Sequence, residues 1–141
     1  MECLMSLLAA GSDLASAKVV RKHWGEERWL VPEGSPFGFK VISVLAGKRT
    51  SLQYHNHKEE ANLILCGKGR LYTGGSGGEP LVESELAPGQ IAHIRPGMIH
   101  RVEAVTDLLI VEVSTPELDD VVRLADDLGR GDGRIEAEHS G

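Results

Sequence analysis

Between residues 39 and 113 the chain alternates short apolar runs with turn-forming residues. The runs read FKVISVL, NLILC, RLYTG, PLVES, IAHI, HRVEAV and LLIVEV, and glycine, proline or acidic residues bound each of them. Many short strands with turn signals between them are typical of an antiparallel sandwich or barrel. The pattern therefore predicts an all-β fold, a single small antiparallel β-barrel or jelly roll, with a hairpin loop at the glycine tract of residues 74–78.

After Val113 the apolar spacing changes. Thr115 is a candidate cap and Pro116 suits the first position of a helix. The apolar residues that follow recur at helical spacing: Leu118, Val121, Val122, Ala125 and Leu128. This spacing predicts a short C-terminal helix that packs on the barrel and stops at Gly129. Within such a helix, pairing with nearby aspartates accounts for Arg123 without a ligand.

The same patterns divide the chain of 141 residues, which suffices for one domain. Residues 1–20 are interpreted as an N-terminal arm or short helix, because their apolar run is too short to span a bilayer and lacks a basic leader. Residues 21–130 form the barrel with its closing helix. Residues 131–141 are small, polar and charged, and we expect a mobile tail there.

The net charge and the cysteine content indicate which binding partners and which cell compartment to expect. The net charge is −6 and no basic stripe is present, which argues against a nucleic-acid partner; a membrane partner is not expected either. The two cysteines, Cys3 and Cys66, are too few for a disulfide framework and fit a reducing compartment. We therefore expect a cytoplasmic protein in which Cys66, inside an apolar run, is a small buried hydrophobe.

Candidate metal ligands cluster in the stretch SLQYHNHKEE. Side chains alternate along a strand, so Gln53, His55 and His57 are expected on one face, and the carboxylate of Glu60 arrives after a turn. Imidazole nitrogen and carboxylate oxygen suit zinc, iron, manganese or nickel. A further ligand should come from elsewhere in the barrel, and His100, which follows the turn at Pro96-Gly97, is the candidate.

The spacing of these residues resembles that of the cupin family. The first cupin motif is matched by Gly47, Gln53, His55, Glu60 and Gly67, and the second by Gly89, Pro96, Gly97 and His100. The departure in the first motif is Gln53, where most cupins have histidine. A cupin barrel often pairs through edge strands, so the resemblance implies a homodimer.

The resemblance extends to one subgroup, the type II mannose-6-phosphate isomerases. It is carried by Trp24-Gly25, by TSLQYHNHKEE, by HRVEA and by DDVVRLADDLGR, from about residue 22 to residue 130. Phosphomannose isomerases use a glutamine, two histidines and a glutamate on zinc. The resemblance thus implies one divalent ion, zinc favoured over manganese, iron or nickel, held by four ligands: Gln53, His55, Glu60 and His100. At three positions, Ala61, Asn62 and Leu128, this chain has a residue that differs from the one in the family.

Several assignments remain open at this stage. The ligand set could instead use His57 with His55 and Glu60, leaving Gln53 to hydrogen-bond a ligand. His57 is otherwise either a general base or a solvated residue. His93 shares parity with Ile91, and an inward orientation would make it a substrate contact or a satisfied core histidine. Phosphate candidates, which could equally be solvated, are Arg101, Arg95 and Lys40.

The leading function is metal-dependent aldose–ketose isomerisation of a sugar phosphate. A divalent ion would polarise the carbonyl and hydroxyl oxygens, and a base with a pKa near neutrality would move a proton between neighbouring carbons. His57 is preferred as the base, because a ligating Glu60 would serve poorly. The alternatives are a non-catalytic cupin that binds a sugar or another small molecule, and an iron-dependent dioxygenase, against which Gln53 weighs.

Overall fold

The computed structural model describes residues 2–75, 80–117, 120–125 and 133–135. In chain order the elements are α1 (Glu2–Leu7), a 3-10 turn (Leu14–Ser16), β1 (Lys18–Lys22), β2 (Gly25–Trp29), β3 (Gly38–Val44), β4 (Leu52–Tyr54), β5 (Glu60–Cys66), β6 (Gly69–Gly74), β7 (Val82–Leu86), β8 (Ile91–Ile94), β9 (Ile99–Ala104), β10 (Leu108–Ser114), β11 (Val121–Ala125) and β12 (Gly133–Ile135). The predicted strands of residues 39–113 are all present, and the predicted all-β jelly roll is confirmed.

The strands form two antiparallel sheets whose inner faces enclose the core. The first sheet has the order β1-β2-β3-β10-β5-β8, and the second has the order β12-β11-β4-β9-β6-β7. β6 pairs with β7, which confirms the predicted hairpin, although most of its glycine tract lies outside the described residues. Buried apolar side chains from both sheets make one cluster that includes Val44, Ile64, Leu71 and Leu108. Burial of these side chains is the main contribution to stability.

Two glycines of the sequence motifs are required by close backbone contacts. A Cβ on Gly25 would lie 1.9 Å from the carbonyl oxygen of Ser43, and a Cβ on Gly67 would lie 2.0 Å from that of Asp107. Both residues also have positive φ angles, 152° and 89°. Any side chain at either position would push a neighbouring strand away, so these glycines fix how closely the strands approach.

The C-terminal segment is a strand, so the predicted helix is wrong over the residues that are described. β11 pairs with β4 on one side and with β12 on the other. Burial along it alternates with period two, because Val121 and Arg123 are buried while Val122 is half-buried. β-branched residues beside an available sheet edge favour a strand over a helix. Leu118, Leu128 and Gly129 lie outside the described residues, as does most of the predicted tail, although Gly133–Ile135 is a strand.

The N-terminal arm contains α1, in agreement with the expected short helix, and a disulfide ties it to the first sheet. Cys3 is bonded to Cys66, so the expectation that Cys66 is only a small buried hydrophobe is wrong. Cys66 is the last residue of β5, so the bond joins α1 to the end of that strand. No helix in the described part of the chain has the length and apolar character needed to cross a membrane.

Candidate metal centre

Three side chains from two distant segments of the chain converge at one end of the interior. His55, Glu60 and His100 are all buried and each offers one ligand atom, with these atoms within 4.8 Å of one another. Glu60 Oε1 lies 3.5 Å from His55 Nε2 and 3.3 Å from His100 Nε2. Three of the four predicted ligands are thus brought together around one point.

The local fold explains why these three side chains meet. His55 directly follows β4, Glu60 begins β5, and His100 lies on β9 as the register partner of Gln53. The Nδ1 atoms of the histidines face backbone carbonyl oxygens, of Asp120 at 2.8 Å for His55 and of Met98 at 2.9 Å for His100. A carbonyl can only accept, so each Nδ1 carries a proton, and the neutral ring then has its lone pair on Nε2, the atom that can bind a metal.

The residues present fit a divalent metal ion. His55 Nε2 is buried and has no hydrogen-bond partner among the described residues, which is an uncommon state for a polar atom. Two imidazole nitrogens and a carboxylate oxygen suit zinc with an open coordination position. Two histidines and one carboxylate are also the set that holds iron(II) in non-haem oxygenases. The donor chemistry therefore supports a metal without selecting its identity.

Gln53 lies in the wall of the same cavity, but its carboxamide is already engaged. Its Oε1 accepts a hydrogen bond of 2.6 Å from the Ser51 hydroxyl. A ligating role would need this oxygen to be shared with the ion. The assignment of Gln53 as the fourth metal ligand stays a prediction.

Asp120 organises the turn that carries the ligands. Its carboxylate accepts backbone N–H hydrogen bonds from Asn56, His57 and Lys58. Burial alone would raise the pKa of Asp120, but these three donors outweigh it and hold the pKa below its ordinary value. Sequence reasoning missed this residue, because it was assigned to a helix and its partners lie more than sixty residues earlier in the chain.

A buried ion network adjoins the three ligands. The Lys58 ammonium lies 3.6 Å from Glu60 Oε2 and 3.4 Å from Glu112 Oε2. Burial would lower the pKa of Lys58, but Glu112 and Glu60 together hold it above its ordinary value. Burial and the charge of Glu60 raise the pKa of Glu112 to about 8. Burial would also raise the pKa of Glu60, yet the charge of Lys58 and a hydrogen bond with Glu112 hold it well below the usual value.

Glu112 could have been found in the sequence. It shares parity with Leu108 and Ile110 in the run LLIVEV, and those two side chains are buried in the core. A carboxylate at an interior position of a strand is expensive unless it is paired or functional. Its register partners are Lys40 on β3 and Asn62 on β5, so a polar row crosses the inner face of the first sheet.

The three ligands line a cavity of about 90 Å³ between the two sheets. Its polar end is lined by residues that include Lys40, Gln53, His55, Lys58, Glu60, Asn62, His100, Glu112 and Arg123, and its apolar end by Val44, Ile64, Leu71, Leu86, Ile94 and Ile110. Arg123 is buried, with 2% of its surface exposed. It was missed because the predicted helix would have paired it with aspartates.

His57 does not share the face of His55. β4 ends at Tyr54, so strand alternation does not continue through residue 57, and the expectation that Gln53, His55 and His57 lie on one face is wrong for His57. Its side chain is exposed and is not part of the cavity wall. Its role as a general base stays a prediction.

The predicted substrate contacts divide between the cavity and the outside. Lys40 lines the cavity, with Nζ 3.2 Å from Glu27 Oε1. Arg101 is absent from the wall, and its guanidinium donates to the backbone oxygens of Thr50 and Ala125. His93 is exposed beside Glu59, so its expected inward orientation is wrong. His93 and Ile91 lie on the same face of β8, and Ile91 is itself 70% exposed, so this face points away from the interior.

The chain is similar to a known protein family and to curated and solved proteins. The family model described as Mannose-6-phosphate isomerase C-terminal matches residues 11–126. The L-ectoine synthase of Sphingopyxis alaskensis is 30% identical over 102 residues, covering 66% of this chain. The chain spans 65% of the length of that relative.

Solved cupin structures share the fold. The capsular polysaccharide assembling protein CapF from Staphylococcus aureus superposes with a TM-score of 0.67 at 17% identity, covering 77% of this chain and 34% of CapF. The oxalate decarboxylase of Bacillus subtilis, a protein with Mn(II) centres, gives a TM-score of 0.67 at 18% identity, covering 79% of this chain and 31% of its own. At such low identity these likenesses concern the fold alone.

Proposed function

Because the chain belongs to the Mannose-6-phosphate isomerase C-terminal family, a family of cupin type, we propose that it is a metal-dependent enzyme that interconverts aldose and ketose sugar phosphates. One observation carries the proposal. The buried His55, Glu60 and His100 converge on one point in a cavity wall, and the Nε2 atom of His55 there has no hydrogen-bond partner among the described residues.

The residues around the three ligands supply the remaining requirements of such a reaction. A bound divalent ion would polarise the carbonyl and the adjacent hydroxyl of the sugar. The carbonyl oxygens of Asp120 and Met98 keep the two imidazoles in the ligating tautomer. Lys58 lies beside Glu60 Oε2, which leaves Oε1 directed at the histidines. His57 is the base that we propose from the sequence, and it would have to move inward to reach a ligand in the cavity.

The size of the cavity limits how a sugar phosphate enters. A cavity of roughly 150 Å³ accommodates benzene, and this one measures about 90 Å³. A hexose phosphate therefore fits only in part, with its reacting end toward the metal ligands and the rest outside, unless wall side chains rearrange.

A second candidate is a non-catalytic cupin that binds a sugar or another small polar molecule. The exposed position of His57 favours it, since the expected base is outside the cavity wall. An iron-dependent dioxygenase is a third candidate, which the two-histidine, one-carboxylate set favours. Iron content together with oxygen consumption would support it.

Metal analysis joined to a turnover assay tests the proposal. The wild-type protein is expected to hold about one divalent ion per chain and to interconvert mannose 6-phosphate and fructose 6-phosphate. His55→Ala and His100→Ala should lose both the ion and the turnover. His93→Ala is the matched control, because its imidazole lies outside the cavity, and it should keep both.

Three outcomes separate the candidates. Sugar phosphate binding without conversion supports the non-catalytic candidate. Turnover in His100→Ala equal to that of the wild type contradicts the metal-dependent mechanism. An ion that survives in both histidine variants contradicts the assigned ligands.

We also propose a homodimer in the cytoplasm. β1 and β8 end the first sheet, and Ile91 on β8 is 70% exposed, so an edge is available for pairing. The Cys3–Cys66 disulfide weighs against a reducing compartment. Light scattering tests the dimer, and a monomer at every concentration would contradict it. Thiol titration of protein trapped in cells tests the compartment, and a fully oxidised pair would contradict the cytoplasm.

A further inference from the structure

Part of the outer face of the first sheet is covered. Leu108 and Leu109 point to opposite faces of β10, and Leu108 belongs to the interior cluster, so Leu109 lies on the outer face. Leu109 is nevertheless 0% exposed, and Val41, on the same face of the neighbouring strand β3, is 5% exposed. Val113, also on this face of β10, is 49% exposed. A segment of the chain therefore covers the face at Leu109 and leaves it open at Val113.

The N-terminal arm is anchored on both sides of the covered residues. The Arg28 guanidinium donates to the carbonyl oxygen of Leu14 at 3.3 Å, and Arg28 on β2 is the register partner of Val41. Cys3 is bonded to Cys66 at the end of β5. Because β3 and β10 lie between β2 and β5, an arm held at both points crosses them. The crossing is roughly 14 Å, three strand spacings, and the chain between Cys3 and Leu14 is long enough for it.

A β-bulge turns Cys66 toward the arm. Ile110 of β10 pairs with Ile64 of β5. The register shifts at the next residue, where Leu109 pairs with Cys66 and Leu65 is the extra residue of β5. Side chains of directly opposite residues lie on the same side of a sheet, so Cys66 faces outward with Leu109. Plain alternation from Ile64 would have turned the sulfur of Cys66 inward, and the bulge prevents this.

α1 depends on these anchors for its place. A helix of six residues is too short to be stable in isolation. Leu4 and Leu8, one turn apart, are half-buried, whereas Met5 and Leu7 are exposed. α1 thus presents a narrow apolar side to the rest of the protein, and the disulfide is the covalent bond that keeps this side in place.

We propose that the Cys3–Cys66 disulfide is a redox-operated latch, which holds the N-terminal arm over the outer face of the first sheet and releases it on reduction to uncover Val41 and Leu109. Disulfides of cytoplasmic proteins are usually transient, and many of them sense the redox state. The latch is open under reducing conditions and closes when the surroundings become oxidising. The inference stands apart from the proposed function, because it involves neither the metal ligands nor a turnover.

The latch opens by exchange with a low-molecular-weight thiol. A thiolate of this class attacks one sulfur of the bond, forms a mixed disulfide and releases the other cysteine, which takes up a proton. A second thiolate attacks the small-molecule sulfur of the mixed disulfide and frees the remaining cysteine, which also takes up a proton. The cysteine pair gains two electrons and two protons, and two small thiols become one small disulfide. The reverse exchange, with that disulfide as the oxidant, closes the latch.

Hydrogen exchange read by mass spectrometry tests the latch on the full wild-type chain, with either oxidised glutathione or excess dithiothreitol present. The amides of Leu8 and Ser12 are the reporters, because they donate to the carbonyl oxygens of Leu4 and Ala9 within the arm. Reduction should speed their exchange at least about tenfold, since the arm loses its covalent anchor. Exchange along β9 in the second sheet should not change. Anilinonaphthalene sulfonate, which binds exposed apolar surface, should gain fluorescence on reduction.

Two variants control for the reductant and for changes in α1. Cys3→Ser removes the bond and leaves β5 intact, so it should exchange as the reduced wild type does, with or without dithiothreitol. Met5→Ser alters an exposed residue of the same helix and should keep the response of the wild type. The central comparison uses the wild type alone, so it does not depend on the folding of a variant.

Four results would overturn the proposal. The first is equal exchange of the arm in the oxidised and reduced wild type, and the second is a dye signal that reduction does not change. The third is a response of Cys3→Ser to dithiothreitol, because that variant has no latch to open. The fourth is the detection of two free thiols per chain in protein equilibrated with oxidised glutathione, because the bond itself would then be absent.

Discussion

The two ends of the interior are built on the same strands from opposite kinds of residue. On β10, Leu108 and Ile110 belong to the apolar cluster, and Glu112, two residues further on the same face, belongs to the ion network. On β5, Ile64 is in the apolar cluster, whereas Glu60 is a candidate metal ligand. Strand alternation therefore tells which side chains face inward, and residue type tells which end of the interior they form.

This contrast separates stability from binding. Buried ion pairs contribute little net stability, because the loss of hydration offsets their attraction. The apolar end loses no such hydration and so accounts for most of the folding free energy. We expect substitutions at the apolar end to change stability alone and substitutions near the polar end to change metal affinity as well.

The largest expected effect on stability is at the apolar end. Leu108 is fully buried in the core cluster. Leu108→Ala should lower the free energy of unfolding by about 2–5 kcal/mol, from lost burial and the cavity left behind. Chemical denaturation measures this, and zinc titration of the folded variant should give wild-type affinity. A matching loss of zinc affinity would show that the two ends are not separable.

An intermediate effect is expected where the fold supports the polar end. Asp120→Ala removes the acceptor of three backbone N–H groups, which should cost roughly 2 kcal/mol of unfolding free energy. Metal affinity should fall about 10- to 100-fold, because the turn that carries His55 loses its support. Asp107→Ala is the control, since Asp107 accepts one backbone N–H, from Ala46, and lies apart from the metal ligands.

The pH dependence of the Asp120→Ala effect follows from the lowered pKa of Asp120. A carboxyl whose pKa is lower in the folded than in the unfolded state binds fewer protons when folded, so it stabilises the fold above its ordinary pKa of 3.8. The stability difference between wild type and Asp120→Ala should therefore be constant near neutral pH and shrink as the pH falls below 3.8. Denaturation curves across this range measure it. A difference that grows in acid would contradict the assignment.

The smallest effect on stability is expected just outside the cavity. His57 is exposed, so His57→Ala should change the free energy of unfolding by less than about 0.5 kcal/mol and leave the metal in place. Turnover should nevertheless fall strongly, because His57 is the base that we propose for the proton transfer. Elemental analysis and the isomerase assay decide this. A large loss of turnover with the metal retained would support the role as base that the sequence suggests.

Local patterns predicted the features that depend on local chemistry. The seven strand runs from residue 39 to residue 113 were recognisable because alternation and turn residues act within a few positions of the chain. His55, Glu60 and His100 were recognisable because their spacing in two motifs is that of a family. Neither inference required knowledge of which strands are neighbours.

The missed features depend on partners distant in sequence. Residues 121–125 have helical spacing, but the free edge of β4, about seventy residues earlier in the chain, makes them a strand. The same error hid Arg123 as a cavity residue and Asp120 as the support of the ligand turn. His57 was misplaced because nothing local marks the end of β4 at Tyr54.

The contacts of Asp120 also set an order of events during synthesis. The carbonyl oxygen and the carboxylate of this one residue hold the turn that carries His55, which leaves the ribosome 65 residues earlier. A growing chain that has not yet reached position 120 has its candidate ligands but lacks the group that arranges them. An ion would then be captured only after residue 120 has been made and has docked against the turn that carries His55.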